Sequence, residues 1–190
     1  MRRVLIVGVS GSGKSTLARR LAATLSVPHI ELDELRHGPG WVPRPTFVDD
    51  VDAATAAPTW VVDGNYSAVQ DLIWARADTV VWLDPPRWLA QWQLLRRTAG
   101  RLLLRRRLWN GNRERWRDLP RADHPIRWSW RRHPIYRQRY GERFAAPGPG
   151  QTYVRLRRRH EIEVWAAGST PLPAGRAPSR WTFPLERRRR

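Results

Sequence analysis

Gly8-Val9-Ser10-Gly11-Ser12-Gly13-Lys14-Ser15 is a glycine-rich run closed by a lysine and a hydroxyl residue, with Thr16 next. Its glycines let a loop wrap with backbone N–H groups turned inward, as anion binding requires. A helix starting at the end of such a loop adds its positive N-terminal end. Lysine offers a compact charge to β- and γ-phosphates, and the Ser15 hydroxyl a ligand for Mg²⁺. With 13 glycines and one lysine in 190 residues, a chance match is on the order of one in two thousand. Lys14 is the only lysine, beside 34 arginines; a planar guanidinium does not replace a point ammonium in a tight loop. Gly8, Ser10, Gly11, Ser12, Gly13, Lys14, Ser15 and Thr16 are therefore expected to hold the phosphates of ATP.

Three aspartates follow short apolar runs. Asp63 closes Trp60-Val61-Val62 and Asp84 closes Thr79-Val80-Val81-Trp82-Leu83, the form in which a carboxylate holds Mg²⁺ or its waters. Asp33 ends His29-Ile30-Glu31-Leu32, where it would accept a proton from an acceptor hydroxyl or orient it. The competing reading of each is a strand-terminal aspartate that caps a turn. Arg97 and Arg101 follow the fourth apolar run and suit stabilisation of a transferring phosphoryl group. His124 and His133 precede prolines and read as turn residues.

These side chains need a scaffold. Val4 to Gly8 reads as a buried strand, and Lys14 to Leu25 as a helix with Leu17, Leu21 and Leu25 on one face. Further strands are expected over 29–33, 60–63, 79–84 and 151–156, with helices over 47–57, 67–76 and 158–166. A long helix is expected from Arg87 to Trp109, burying Trp88, Trp92, Leu95, Ala99, Leu102 and Leu103 and exposing arginine. Residues 110–146 look irregular, because Pro120, Pro125 and Pro134 interrupt any helix. Strands alternating with helices predict an α/β fold, a parallel sheet covered on both faces, with ligands beyond the carboxyl ends of the strands. One domain over 1–167 is expected, with an arginine-rich lid region over about 97–146 and a weakly ordered tail over 168–190.

The chain carries no cysteine, which excludes a disulfide scaffold, a thiolate metal site and a cysteine nucleophile. Its apolar runs are too short to span a bilayer, and Met1-Arg2-Arg3 precedes too short an apolar stretch for a signal peptide. No membrane partner and a cytoplasmic location are expected. The net charge of +18 divides into −2 over residues 1–84 and +20 over 85–190. Such a basic half attracts an anionic partner, nucleotide phosphate or nucleic acid.

Gly8–Thr16, His29–Arg36, Trp60–Tyr66 and Ala77–Pro85 together resemble P-loop kinases of the adenylate kinase and shikimate kinase type. Arg97-Thr98-Ala99-Gly100-Arg101 is similar to the entry of the adenylate kinase lid. Leu32-Asp33-Glu34-Leu35, Pro39-Gly40-Trp41 and Asp63-Gly64-Asn65-Tyr66 resemble the bacterial topology modulation proteins, which are adenylate kinase-like. The resemblance covers about residues 1–165. It implies a P-loop NTPase three-layer fold with a five-stranded parallel sheet, ATP and Mg²⁺ at Gly8–Thr16, and an acceptor site near Asp33, Arg36, Trp41, Asp63 and Asn65. Adenylate kinases carry Asp-Gly-Phe-Pro-Arg where this chain has Asp63-Gly64-Asn65-Tyr66, and the glycine run of shikimate kinases is absent, so the acceptor is not identified. Two functions stand side by side: a Mg²⁺-dependent phosphotransferase acting on a small molecule or nucleotide, and a nucleotide-regulated nucleic-acid-binding protein.

Overall fold

A computed structural model describes residues 1–119, 121 and 124–169. The expected tail falls almost wholly outside them, over 170–190. Five strands form one sheet in the order β2-β3-β1-β4-β5: β1 Arg3–Val7, β2 His29–Glu31, β3 Trp60–Asp63, β4 Thr79–Leu83 and β5 Thr152–Leu156. Every pairing is parallel. The helices are α1 Lys14–Leu25, α2 Leu32–Arg36, α3 Phe47–Thr55, α4 Ser67–Arg76, α5 Arg87–Leu103, α6 Pro125–Ala145 and α7 Arg159–Gly168.

β1 shows why the sheet is covered twice. Its alternate residues Val4 and Ile6 pack with Leu17 and Leu21 of α1 and with Ile162 and Trp165 of α7. Leu5 and Val7 face Phe47, Val51, Ile73 and Tyr140 of α3, α4 and α6. Both faces are therefore apolar, as a parallel sheet demands. β1 lies between β3 and β4 and puts Ile6 level with Asp63 and Val7 level with Trp82. The loop after β1 thus emerges between the carboxyl ends of both neighbours, at the point where the strand order reverses.

Three expectations are corrected. Strand β2 stops at Glu31, and Asp33 lies in the first turn of α2 instead of at a strand end. Helix α5 ends at Leu103, six residues early. Arg105 takes a left-handed φ of 44°, and the N–H groups of Arg105 and Arg106 return to the carbonyls of Leu102 and Arg101. That is a Schellman stop without the glycine that usually announces it. The helix also buries a different row, Ala90, Leu94, Thr98 and Leu102, leaving Trp88 66% and Trp92 53% exposed. Helix α5 approaches the phosphate loop closely there, the Ala90 carbonyl and Leu94 Cβ standing against Gly11.

Residues 125–145 form the longest helix, not an irregular stretch. Pro125 sits in its first turn, and His124 caps it by accepting the Ile126 N–H at 3.3 Å. Pro134 lies inside and cannot donate to the carbonyl of Trp130. Arg87 of α5 supplies the missing donor, its Nη2 lying 2.7 Å from that oxygen.

Candidate functional site

The loop between β1 and α1 is built by backbone geometry. Gly8 has φ 145°, and a Cβ there would stand 2.5 Å from the Leu83 carbonyl and 2.8 Å from Ser12 Oγ. Gly11 has φ 85° and is equally closed to a side chain. Helix α1 begins at Lys14, so its free N–H groups face the loop's interior. Ser12 Oγ is buried with no hydrogen-bond partner. Lys14 Nζ donates to the Val9 carbonyl at 3.0 Å, folded back over its own loop. Burial lowers its pKa, and of the charges around it Asp63 and then Asp33 oppose that most. An ammonium short of solvent and beside open N–H groups is poised for an anion.

Asp63, 3% exposed, accepts the Ser15 hydroxyl on Oδ2 at 2.6 Å and meets His29 Nε2 on Oδ1 at 2.7 Å. Ser15 and Asp63 thus form an oxygen-only donor pair at the first turn of α1, chemistry that suits Mg²⁺. Asn65 donates from Nδ2 to the Gly8 carbonyl and accepts the Gly8 N–H on Oδ1 at 3.4 Å. Asn65, expected as an acceptor contact, therefore braces the phosphate loop.

The expected acceptor residues gather beside it. Asp33 Oδ1 accepts the Tyr66 hydroxyl at 2.7 Å, and Tyr66 lies 3.2 Å from His37 Nε2. Burial, then the Asp33 charge, raises the Tyr66 pKa, so the phenol remains a donor. Arg36 lies over the Phe47 ring at 5.4 Å. Trp41 packs edge-on against His37 and Trp109. Its backbone N–H donates to Asn112 Oδ1 at 3.1 Å, while Asn112 Nδ2 donates to the Gly38 carbonyl at 2.9 Å. Asn110 adds bonds to the carbonyls of His37 and Glu34. The segment after α5 is thereby clasped to the loop after α2.

Arg97 has no hydrogen-bond or ion-pair partner among the described residues. The residue is exposed; desolvation by the surrounding protein, then Arg101, lowers its pKa, while Glu114, Asp33 and Glu31 act against the shift. Arg101 is engaged, bonded to Glu114 at 2.8 Å and lying over Trp109. Glu31 stands beside Asp63 and Asp33; burial first and Asp63 next raise its pKa, and Trp109 donates a hydrogen bond to it. Asp84 is enclosed by Arg155, Arg137 and Arg157, an ion-pair role rather than an open metal ligand.

His29, Glu31, His37 and Trp109 were not read as site residues. His29 and Glu31 stand at alternate positions of a strand beside Asp63, a cue the sequence does carry. The Asn110 and Asn112 clasp joins positions more than seventy apart and leaves no local signal.

Residues 4–131 match the family described as AAA domain. No curated protein matches the sequence. Among solved structures, a shikimate kinase from Acinetobacter baumannii in complex with shikimate is 16% identical, with TM-score 0.51, over 88% of this chain and 90% of that one. A shikimate kinase from Bacteroides thetaiotaomicron has the same identity and score over 88% and 95%. A gluconokinase from Sinorhizobium meliloti 1021 is 17% identical over 89% and 91%, with TM-score 0.49. The likeness to the two shikimate kinase structures establishes a shared fold. With most of its length matched, the chain belongs to the AAA domain family.

Proposed function

We propose that the chain is an ATP-dependent, Mg²⁺-dependent phosphotransferase for a small-molecule or nucleotide acceptor. The observation that carries this reading is the Ser15–Asp63 contact at the mouth of a complete phosphate loop, with Asp33 near enough to act on the Lys14 charge. The backbone from Gly8 to Thr16 would cradle the phosphates, with Lys14 leaving the Val9 carbonyl for them. Ser15 and Asp63 would hold Mg²⁺, which supplies charge neutralisation at the phosphates. Asp33, fixed by the Tyr66 donor, would take the acceptor's hydroxyl proton. Arg97 is the uncommitted guanidinium for the transferring phosphoryl group, and Arg101 holds Glu114 beside it. Arg36 and Trp41 would line the acceptor side. The catalytic unit in this reading spans 1–167, and within the region 97–146 the clasped segment from 104 to 119 closes on the acceptor. The fold shared with structures named as shikimate kinases supports a small acceptor; the topology modulation likeness names a family, not a substrate.

A screen of small hydroxyl compounds and nucleoside monophosphates with labelled ATP tests the reading. Lys14→Ala should abolish turnover, and turnover unchanged in that variant would sink the proposal. Asp33→Asn should lower kcat by roughly 10²–10⁴-fold with ATP affinity retained. Loss of ATP affinity in its place would move Asp33 out of the acceptor site.

A further inference from the structure

At the end of α5 lies a cavity of about 310 Å³ lined by Leu102, Arg105, Arg113, Glu114, Arg115 and Trp116. The volume falls at the lower end of the range for small-ligand sites, roughly 300–1,000 Å³. Its charge is unbalanced. Glu114, the one acid, has Oε1 bonded to Arg101 at 2.8 Å, and its Oε2 is buried. Arg105, Arg113 and Arg115 have no side-chain partner among the described residues. All three are exposed, and their guanidinium forks match phosphate oxygens.

The rest of the lining is apolar. Trp116 is 59% exposed and Leu102 only 6%, so the lining combines an accessible indole with a buried aliphatic side chain. A ring wedged there gains stacking that bare phosphate does not. The walls are fixed from outside. The Schellman bonds hold the backbone at Arg105, and the Arg113 carbonyl accepts Trp41 Nε1–H at 3.4 Å. No residue of the phosphate loop, Gly8 to Thr16, lines the cavity.

We propose that this cavity is a second nucleotide site, which takes a planar base on Trp116 and Leu102 and its phosphate on Arg105, Arg113 and Arg115. The occupant is a nucleotide unit, either a free mononucleotide or one residue of a single strand. The inference does not depend on phosphoryl transfer at the first site.

Calorimetric titration uses the Lys14→Ala chain, which removes turnover, and Trp116→Ala and Arg115→Ala in that background distinguish this cavity from the acceptor site. The probes are AMP, pyrophosphate and a short single-stranded oligo(dA). AMP should bind at one site per chain and more tightly than pyrophosphate. Affinity should fall with added salt. Trp116→Ala in that background should weaken AMP at least about fivefold, the lower bound for base stacking on an aromatic side chain. Arg115→Ala should weaken both AMP and pyrophosphate. Circular dichroism checks that each variant is folded. Binding of the oligonucleotide without AMP would assign the occupant to a nucleic-acid strand. No binding of either, or AMP binding untouched by both substitutions, overturns the proposal. Pyrophosphate binding as tight as AMP overturns the base pocket. These outcomes are read without turnover, so they stand apart from the phosphotransferase test.

Discussion

Asp63 spends both carboxylate oxygens on site residues, one on Ser15 and one on His29. A buried carboxylate with two partners costs much to disturb, because each partner is left unpaired with it. Asp63→Asn keeps the shape and loses the charge, and should remove the Mg²⁺ dependence of ATP binding measured by titration. Equal dependence in the variant would place the metal elsewhere. Glu31 makes the complementary point. Its carboxyl is raised above the usual 4.5 by burial and then by Asp63. Below that usual value the group is neutral in the folded and unfolded chains alike and costs nothing. As pH rises through the raised folded value, the unfolded chain ionises freely while the folded chain must hold the charge, so stability is lost. Glu31→Gln mimics the neutral acid in shape and charge. It should melt higher than the parent near about pH 8 and level with it near about pH 4. A gain of equal size at both would mean that packing, not charge, is responsible.

Helices α5 and α6 illustrate how one element completes another. Pro134 strips a hydrogen bond from α6, and Arg87 of α5 supplies it at the Trp130 carbonyl while lying 3.7 Å above the Trp130 ring. Arg87→Ala should therefore destabilise by about 1 kcal/mol. In a Pro134→Ala background the helix can make its own bond, and the same substitution should cost less. A coupling of about 0.5 kcal/mol or more in denaturant melts is the expected result of the double-mutant cycle; additive costs would mean that the ring contact alone matters. This compensation also marks what the sequence could and could not convey. The phosphate loop, β1, β3 and β4 were legible because glycine spacing and β-branched runs are local signals. Helix α6 was hidden by a proline whose missing bond to Trp130 is supplied by a residue 43 positions before Trp130. The end of α5 was hidden because an arginine holds the left-handed position. Its buried face differs from the expected one because Trp88 and Trp92 dominate a reading by hydrophobicity, whereas Ala90 and Leu94 are the residues that meet the phosphate loop. At the site, Lys14, Ser15 and Asp63 were readable from the motif and the strand end, whereas the engagement of Asn65 and Arg101 emerges only when separate loops meet.

The charge of the whole molecule is as uneven as that of its parts. Residues 85–190 hold 27 basic and 7 acidic side chains, so most of these arginines have no carboxylate of their own. Where exposed pairs form, as between Arg143 and Asp71 or Arg20 and Glu163, salt weakens them. Exposed pairs are worth at most about 1 kcal/mol each, and the unpaired cations outnumber them. Folding brings those cations together, and raising ionic strength from about 0.01 M to about 0.1 M shortens the screening length from roughly 30 Å to roughly 10 Å. Relief of repulsion should win over loss of pairing. The thermal midpoint is therefore expected to rise with sodium chloride across that range, contrary to the usual loss of surface ion pairs. Arg106 and Arg107 are exposed and unpaired among the described residues and line neither the phosphate loop nor the second cavity. Replacing both with glutamine should raise the low-salt midpoint and flatten its dependence on salt. A midpoint that falls with salt in the parent chain would show that the few ion pairs, and not the surplus arginines, set its electrostatic stability.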